Sequence, residues 1–379
     1  MNIFNAPTKI HMGAQDLSSV LKGSKRVFIV TDSFMAESGK VDYILNQLYR
    51  MGSEFHIFSR VTPDPDISII TKGVEEITEF KPDSVVAFGG GSPIDAAKAI
   101  VFFAGKVYDL RDCPFIAIPT TSGTGSEVTC FAVISDKEKQ IKYPLLDDAL
   151  LPDAAILDAN LILSVPPNVT ADTGIDVLTH AIEAYVSTAS TDFSDAVAEK
   201  SIKLVQKHLL TAYNEPDNFE ARQGMHNASC LAGMAFSNAS LGLNHSMAHA
   251  LGAQAKLPHG RANAILLPYV MSFNAGCTAD ALTPSAVRYA EIARILGMEA
   301  TSTRQSALNL IHTVRRFVKK LHLPSTIEAA GVSAEEFEKI VHSMAESALS
   351  DRCTATNPVE CSVESIEKVY RKAFLGKLP

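Results

Sequence analysis

Three consecutive glycines, Gly89 to Gly91, separate the apolar run Ser84-Val-Val-Ala-Phe88 from Ser92-Pro-Ile-Asp-Ala-Ala-Lys-Ala-Ile100, which has the residue types of a helix. A buried strand that turns at once into a helix is the first half of a β-α-β unit, so it commits this part of the chain to a largely parallel sheet covered by helices. Ser92 suits the N-cap, Pro93 the first helical position, and Asp95 the place from which a capping-box acid reaches back. Glycine at such a turn lets a ligand approach the backbone closely, and the N–H groups of a helix start favour phosphate. For this stretch alone, a tight turn with no ligand is the simpler alternative.

The surrounding chain repeats the rhythm. Apolar runs at 26–32, 54–58, 84–88 and 114–118 read as strands, and 41–51 and 67–80 as amphipathic helices. After the fourth run comes Pro119-Thr-Thr-Ser-Gly-Thr-Gly-Ser-Glu127, almost entirely hydroxylated or glycine. With so little to bury, it must be held by hydrogen bonds, either to itself or to a phosphate or ribose. Two small-residue loops after two strands point to one dinucleotide crossing the C-terminal edge of a sheet. The contiguous glycines depart from the Rossmann G-x-G-x-x-G pattern, so the fold is related in principle and different in detail. Asp32, ending the first of these runs, is placed to accept from a ribose 2′-hydroxyl and to repel a 2′-phosphate, which favours NAD over NADP.

Beyond Val165-Pro-Pro167 the strand pattern stops, and helical periodicity runs through 170–187, 193–210, 219–240, 246–253, 262–275, 284–296, 303–320, 333–349 and 362–373. The expected organisation is an α/β dinucleotide-binding domain over residues 1–167 and an all-helical metal-binding and substrate domain over 168–379. In the helical half, Asp176 and His180 stand one turn apart and project from one face, and His245 and His249 repeat the spacing. His259 adds an imidazole on the Pro258-His-Gly260 turn. An isolated pair of this kind is more often simply hydrogen-bonded than metal-binding. Here the neighbours are small or apolar (Gly174, Ile175, Val177, Leu178; Leu243, Met247, Ala248, Ala250), so the polar groups face the interior and need partners. A divalent ion held by Asp176, His180, His245 and His259 supplies one to all of them. Three imidazoles and a carboxylate without thiolate suit Fe(II), Zn(II), Ni(II) or Mn(II) better than Ca(II), and leave room for a substrate oxygen. A Lewis acid beside a nicotinamide is the equipment of an alcohol dehydrogenase. His249, left over from the ligand set, is either a satisfied core histidine or a group near the nicotinamide.

The 379 residues carry a formal net charge of −8, so no broad basic surface draws nucleic acid or acidic lipid. The six cysteines form no C-x-x-C pair and read as free thiols of a reducing compartment. Neither a secretory signal nor a membrane-spanning run is visible, the longest apolar stretch being broken by Pro268. A cytoplasmic enzyme with no nucleic acid or membrane partner is expected.

Along essentially its whole length the chain resembles the iron-containing (group III) alcohol dehydrogenases. The matching stretches are Phe88-Gly-Gly-Gly-Ser-Pro-Ile-Asp-Ala-Ala-Lys98, Ile118 to Glu127, Thr173-Gly-Ile-Asp-Val-Leu-Thr-His-Ala-Ile-Glu-Ala-Tyr185, Gly242-Leu-Asn-His-Ser-Met-Ala-His-Ala-Leu-Gly252, and Pro258-His-Gly260. Ile141-Lys-Tyr-Pro144 and Asp351-Arg-Cys-Thr-Ala-Thr-Asn-Pro358 look most like the propanol dehydrogenases of propanediol-utilisation microcompartments. The resemblance implies the dehydroquinate synthase-like fold of that family. It implies Fe(II) on Asp176, His180, His245 and His259, with His249 beside the nicotinamide. NAD contacts are implied for Asp32, Gly90, Gly91, Ser92, Asp95, Thr120, Thr121, Thr124, Ser126 and Lys142. Also implied are short-chain aldehyde or primary alcohol substrates, propionaldehyde and 1-propanol foremost, a homodimer or larger assembly, and association with a microcompartment. A glycerol or diol dehydrogenase on the same fold, with zinc, is the near alternative, and a metal-dependent nucleotide hydrolase the distant one.

Overall fold

The computed structural model describes residues 3–13, 17–21, 23–110, 112–137, 141–277 and 279–378. The chain divides into two compact units, one from Asn5 to Ser164, the other taking up the chain from Val165 onward.

The first unit contains strands β1 (Lys9–Met12), β2 (Arg26–Asp32), β3 (Glu54–Val61), β4 (Ser84–Gly89), β5 (Phe115–Pro119), β6 (Phe131–Asp136), β7 (Ile141–Leu146) and β8 (Ala154–Leu157). Its helices are α1 (Leu17–Val20), α2 (Ser33–Glu37), α3 (Asp42–Met51), α4 (Ile67–Phe80) and α5 (Gly91–Ala104). Six strands form one parallel sheet in the order β1-β8-β5-β4-β2-β3. Period-2 alternation sends Phe28, Val30, Val85, Ala87, Phe115 and Ala117 into one apolar layer, with α4 and α5, and Val27, Ile29, Val86, Phe88, Ile116 and Ile118 into the other, with α1 and α3. Both faces are covered, which is why these strands read as unbroken apolar runs. At Gly73 a Cβ would lie 2.2 Å from Ile100 Cδ1, so the Ile100 side chain of α5 occupies the space that a side chain on α4 would take.

From β2 the chain moves outward to β3, then returns to the other side of β2 for β4 and continues to β5. This reversal opens a crevice at the C-terminal ends of β2 and β4, the place where such sheets take ligands. Thr31 Oγ1 donates to Phe88 O (2.7 Å) and Thr120 N–H to Gly89 O (2.9 Å), tying the ends of β2, β4 and β5 together. Two features were not expected from sequence. Edge strand β1 and short strand β8 complete the sheet, and β6 pairs antiparallel with β7, Pro144 standing opposite Val133. Proline is tolerated there because a two-stranded ribbon has only edge strands.

The second unit contains α6 (Pro167–Val186), α7 (Asp192–Asn214), α8 (Phe219–Ala239), α9 (Leu243–Ala255), α10 (His259–Asn274), α11 (Ala286–Ile295), α12 (Thr303–Lys320), α13 (Ala334–Ser350) and α14 (Val363–Leu375). Helices α6, α7, α8, α11 and α12 share one apolar core; α9, α13 and α14 share another, and α10 contributes to both. Helix α6 is buried on every side from Gly174 to Val186, as an apolar helix inside a bundle must be. Among the described residues no helix is long and apolar enough to cross a membrane.

Candidate metal centre and nucleotide cradle

Because α6 is buried all round, each polar side chain on it needs an internal partner. Asp176, His180 and Glu183 stand on it with 5%, 5% and 4% exposure. Two close approaches to α6 bring the rest of the site to them. A Cβ on Gly260 would lie 2.2 Å from Asp172 O, so the first turn of α10 rests on the α6 backbone and delivers His259. A Cβ on Gly242 would lie 2.9 Å from Glu183 Oε1, so the start of α9 rests against the Glu183 side chain and delivers His245.

Asp176, His180, His245 and His259 each offer a ligand atom within 4.8 Å of the others. His245 Nε2 and His259 Nε2 lie 3.6 and 3.5 Å from Asp176 Oδ1. The Asn263 side-chain amide donates to Asp176 Oδ1 at 2.7 Å, with His259 Nε2 and His245 Nε2 at 3.1 and 3.3 Å from the same nitrogen. Acceptor atoms of three residues thus converge on one small volume. His180 is stacked between Phe236 and His245, at 4.6 Å from each ring, and its buried Nδ1 has no hydrogen-bond partner. A carboxylate and three imidazoles that each bring a ligand atom within 4.8 Å of the others are what a divalent cation satisfies and a purely structural core does not.

The electrostatics agree. Burial holds His180 down at about 3, so its ring is neutral and one ring nitrogen keeps its lone pair free to bind. Burial works against the Asp176 carboxylate too, yet His180, His259 and His245 together hold it well below the usual carboxylate range. For His245, burial is outweighed by hydrogen bonds to Asp176 and Glu183, which push it up to about 9. His249 stands outside this group: its side chain is 46% exposed, its ring stacks on His259 at 5.3 Å, and Nδ1 is bound to Asp351 Oδ2 at 2.8 Å.

In the first unit, the glycine and threonine loops meet. A Cβ on Gly90 would be 3.3 Å from Thr121 Oγ1, and one on Gly91 would be 2.8 Å from Thr124 Cγ2. Helix α5 does not begin as expected. Its N-cap is Gly90, in extended conformation, and no side chain caps it; Ser92 lies inside the first turn. Asp95 is no capping-box acid either: it accepts from Ser126 Oγ (2.5 Å) and from Val133 N–H (3.1 Å), and so fastens the threonine loop and β6 to α5. The reason is the third glycine, which allows the helix to start two residues earlier and leaves its N–H groups for a ligand. Thr120 Oγ1 is buried without a partner, and Thr124 Oγ1 accepts from Ser126 N–H at 3.2 Å. An uncapped helix start beside an orphaned hydroxyl fits a pyrophosphate. Lys98, fully buried and drawn down to about 8 by burial, donates to Thr129 O, Thr129 Oγ1 and Phe131 O and pins the far end of the loop. Asp32 ends β2 and caps α2 through Met35 N–H at 2.8 Å. Lys142 lies on β7 opposite Ser135, and its side chain falls outside the described residues.

Sequence reading passed over Glu183, Asn263 and Asp351. The first had a local signal, a carboxylate one turn beyond His180 on a helix of small and apolar residues. Asp351, 102 residues from His249, had none.

Comparison with known proteins bears on both units. The model of the iron-containing alcohol dehydrogenases matches residues 7–159, and that of the C-terminal part of the Fe-containing alcohol dehydrogenase family matches 170–374. The 1-propanol dehydrogenase PduQ of Salmonella typhimurium is 45% identical over 98% of this chain and 100% of its own. An NADPH-dependent butanol dehydrogenase of Clostridium saccharobutylicum is 41% identical over 98% of both. Among solved structures, a 1,3-propanediol oxidoreductase superposes with a TM-score of 0.90 at 34% identity, over 99% of this chain and 100% of the other. The iron-containing alcohol dehydrogenase of Thermococcus thioreducens gives 0.89 at 35%, with the same coverage.

Proposed function

This chain belongs to the iron-containing alcohol dehydrogenase family and is an oxidoreductase, and we propose that it interconverts short-chain aldehydes and primary alcohols with NAD(H), propionaldehyde and 1-propanol being the reference pair. The observation that carries this reading is the convergence of the Asp176, His180, His245 and His259 donor atoms within 4.8 Å in the helical unit. When bound, a divalent cation, Fe(II) by family, polarises the substrate oxygen, and the nicotinamide accepts or returns the hydride.

The chain's own residues have three tasks. Asp176, His180, His245 and His259 hold the cation. Gly90, Gly91, Ser92, Asp95, Thr120, Thr121, Thr124, Ser126 and Lys142 are assigned to the dinucleotide cradle and Asp32, at the end of β2, to the ribose, where a carboxylate opposes a 2′-phosphate. His249, its Nδ1 occupied by Asp351, is assigned by family resemblance to the nicotinamide end of the site, where its Nε2 would carry the proton.

Protein purified anaerobically with Fe(II) should oxidise NADH on addition of propionaldehyde, and NADPH much more slowly. Asp176→Asn and His259→Ala should lose metal and turnover together; a variant retaining both would remove its residue from the ligand set. The 1,3-propanediol oxidoreductase among the structural relatives favours a diol as the second reading. A panel of 1-propanol, 1,2-propanediol, 1,3-propanediol and glycerol separates the two. The proposal includes a homodimer or larger assembly, in the cytoplasm or enclosed in a bacterial microcompartment, to be read by light scattering and by cell fractionation.

A further inference from the structure

Glu183 takes no place among the ligands proposed above, yet it is 4% exposed and both its oxygens are engaged at the start of α9. Oε1 accepts from Asn244 N–H at 2.6 Å. Oε2 lies 2.5 Å from His245 Nδ1 and accepts from His245 N–H at 3.3 Å. Gly242, the N-cap of α9, has no side chain to cap the helix, so the amides of its first turn are satisfied from outside: Leu243 N–H by Asn357 Oδ1 at 3.1 Å, the next two by Glu183.

A carboxylate that already accepts from two backbone amides is an acceptor only, so the proton between Oε2 and Nδ1 belongs to the imidazole. Once the ring has given up its second proton, the lone pair of His245 is on Nε2, the nitrogen 3.6 Å from Asp176 Oδ1 and 3.3 Å from Asn263 Nδ2. We propose that Glu183 is a positioning residue that fixes His245 as the Nδ1–H tautomer and aims Nε2 at the cation, while its other oxygen caps α9. This rests on the assignment of His245 as a metal ligand. The two tasks use different atoms and can be separated. Glu183→Gln keeps a carbonyl oxygen for Asn244 N–H but turns an NH2 toward Nδ1, which reverses the tautomer and takes the lone pair from Nε2.

Apo-protein is titrated with Co(II) against a competing chelator, with the visible spectrum and the apo melting temperature recorded for wild type, Asp176→Asn and Glu183→Gln. The expected result is a Glu183→Gln apo-protein melting close to wild type, with Co(II) affinity lower by about tenfold to a hundredfold and an altered d–d spectrum. Wild-type affinity and spectrum in Glu183→Gln, with binding lost in Asp176→Asn, overturns the positioning role and leaves the ligand assignment standing. No Co(II) binding by wild type overturns both. Independently of any Glu183 variant folding, 15N-histidine spectra of the Zn(II)-loaded wild type should show a protonated Nδ1 for the His245 ring, identified by its loss in His245→Gln. A protonated Nε2 would overturn the inference.

Discussion

Asp351 Oδ2 and His249 Nδ1 lie 2.8 Å apart across 102 residues of chain. The other oxygen of Asp351 accepts from Cys353 N–H at 2.8 Å and Ser246 Oγ at 3.2 Å, so the carboxylate is anchored before it reaches the ring. Burial opposes its charge, but the hydrogen bond to His249 and the field of that ring hold its carboxyl well below the usual carboxylate range. It is therefore ionised at any working pH. Asp351→Asn keeps the shape and loses the charge: turnover should fall on the order of tenfold to a hundredfold with metal content unchanged. Metal analysis and steady-state kinetics on one preparation check this, and loss of the metal would move His249 into the ligand set.

Metal uptake should depend on pH with a definite sign. In the metal-free protein His245 is pushed up to about 9, burial being outweighed by the Asp176 and Glu183 carboxylates, whereas burial keeps His180 at about 3. A cation must displace the proton of His245 and none from His180. Affinity should thus rise roughly tenfold per pH unit below about 9 and level off above it, with close to one proton released per ion. Titrations between pH 6 and 9 in buffers of different ionisation enthalpy read both quantities, and a flat profile would refute the argument.

Gly260→Ala tests the approach of α10 to α6. The added Cβ meets the backbone of Asp172, at 2.2 Å from O and 2.6 Å from C, which cannot rotate away. A loss of about 1–3 kcal/mol is expected from such overpacking, together with weaker metal binding as His259 is displaced. Gly252→Ala, where the nearest atom is Leu257 O at 3.2 Å, should be milder in both respects.

Gly91→Ala tests the cradle. Its Cβ would lie 2.8 Å from Thr124 Cγ2, forcing the glycine and threonine loops apart. KM for NADH should rise on the order of tenfold, a loss of binding with little change in kcat, and metal content should stay at the wild-type level. A fall in metal content with KM unaffected would separate these loops from dinucleotide binding.

What could be read in advance followed the range of the interactions involved. Asp176 and His180 share one helix, and His245 opens another, so local periodicity placed them; the strands of the sheet core were legible because both faces are buried and the runs are unbroken. Edge strand β1, with only the four residues Lys-Ile-His-Met, and the ribbon β6–β7, with Pro144 inside it, carry no such unbroken apolar run and are fixed by pairing alone. The start of α5 was misplaced because Ser92 and Asp95 satisfy the capping pattern in sequence, while three-dimensional packing gives Asp95 to Ser126 and Val133. Asp351 belongs to the same class: nothing near it in the chain points to His249.

The four clustered side chains are unequally shielded. His245 and Asp176 are 2% and 7% exposed, whereas the His259 ring is 44% exposed. His259 is therefore the ligand that solvent reaches first, so chelators should strip the ion and added metal reload it while the helices stay folded. Exchange kinetics, unlike affinity, would then be governed by one ligand at the rim.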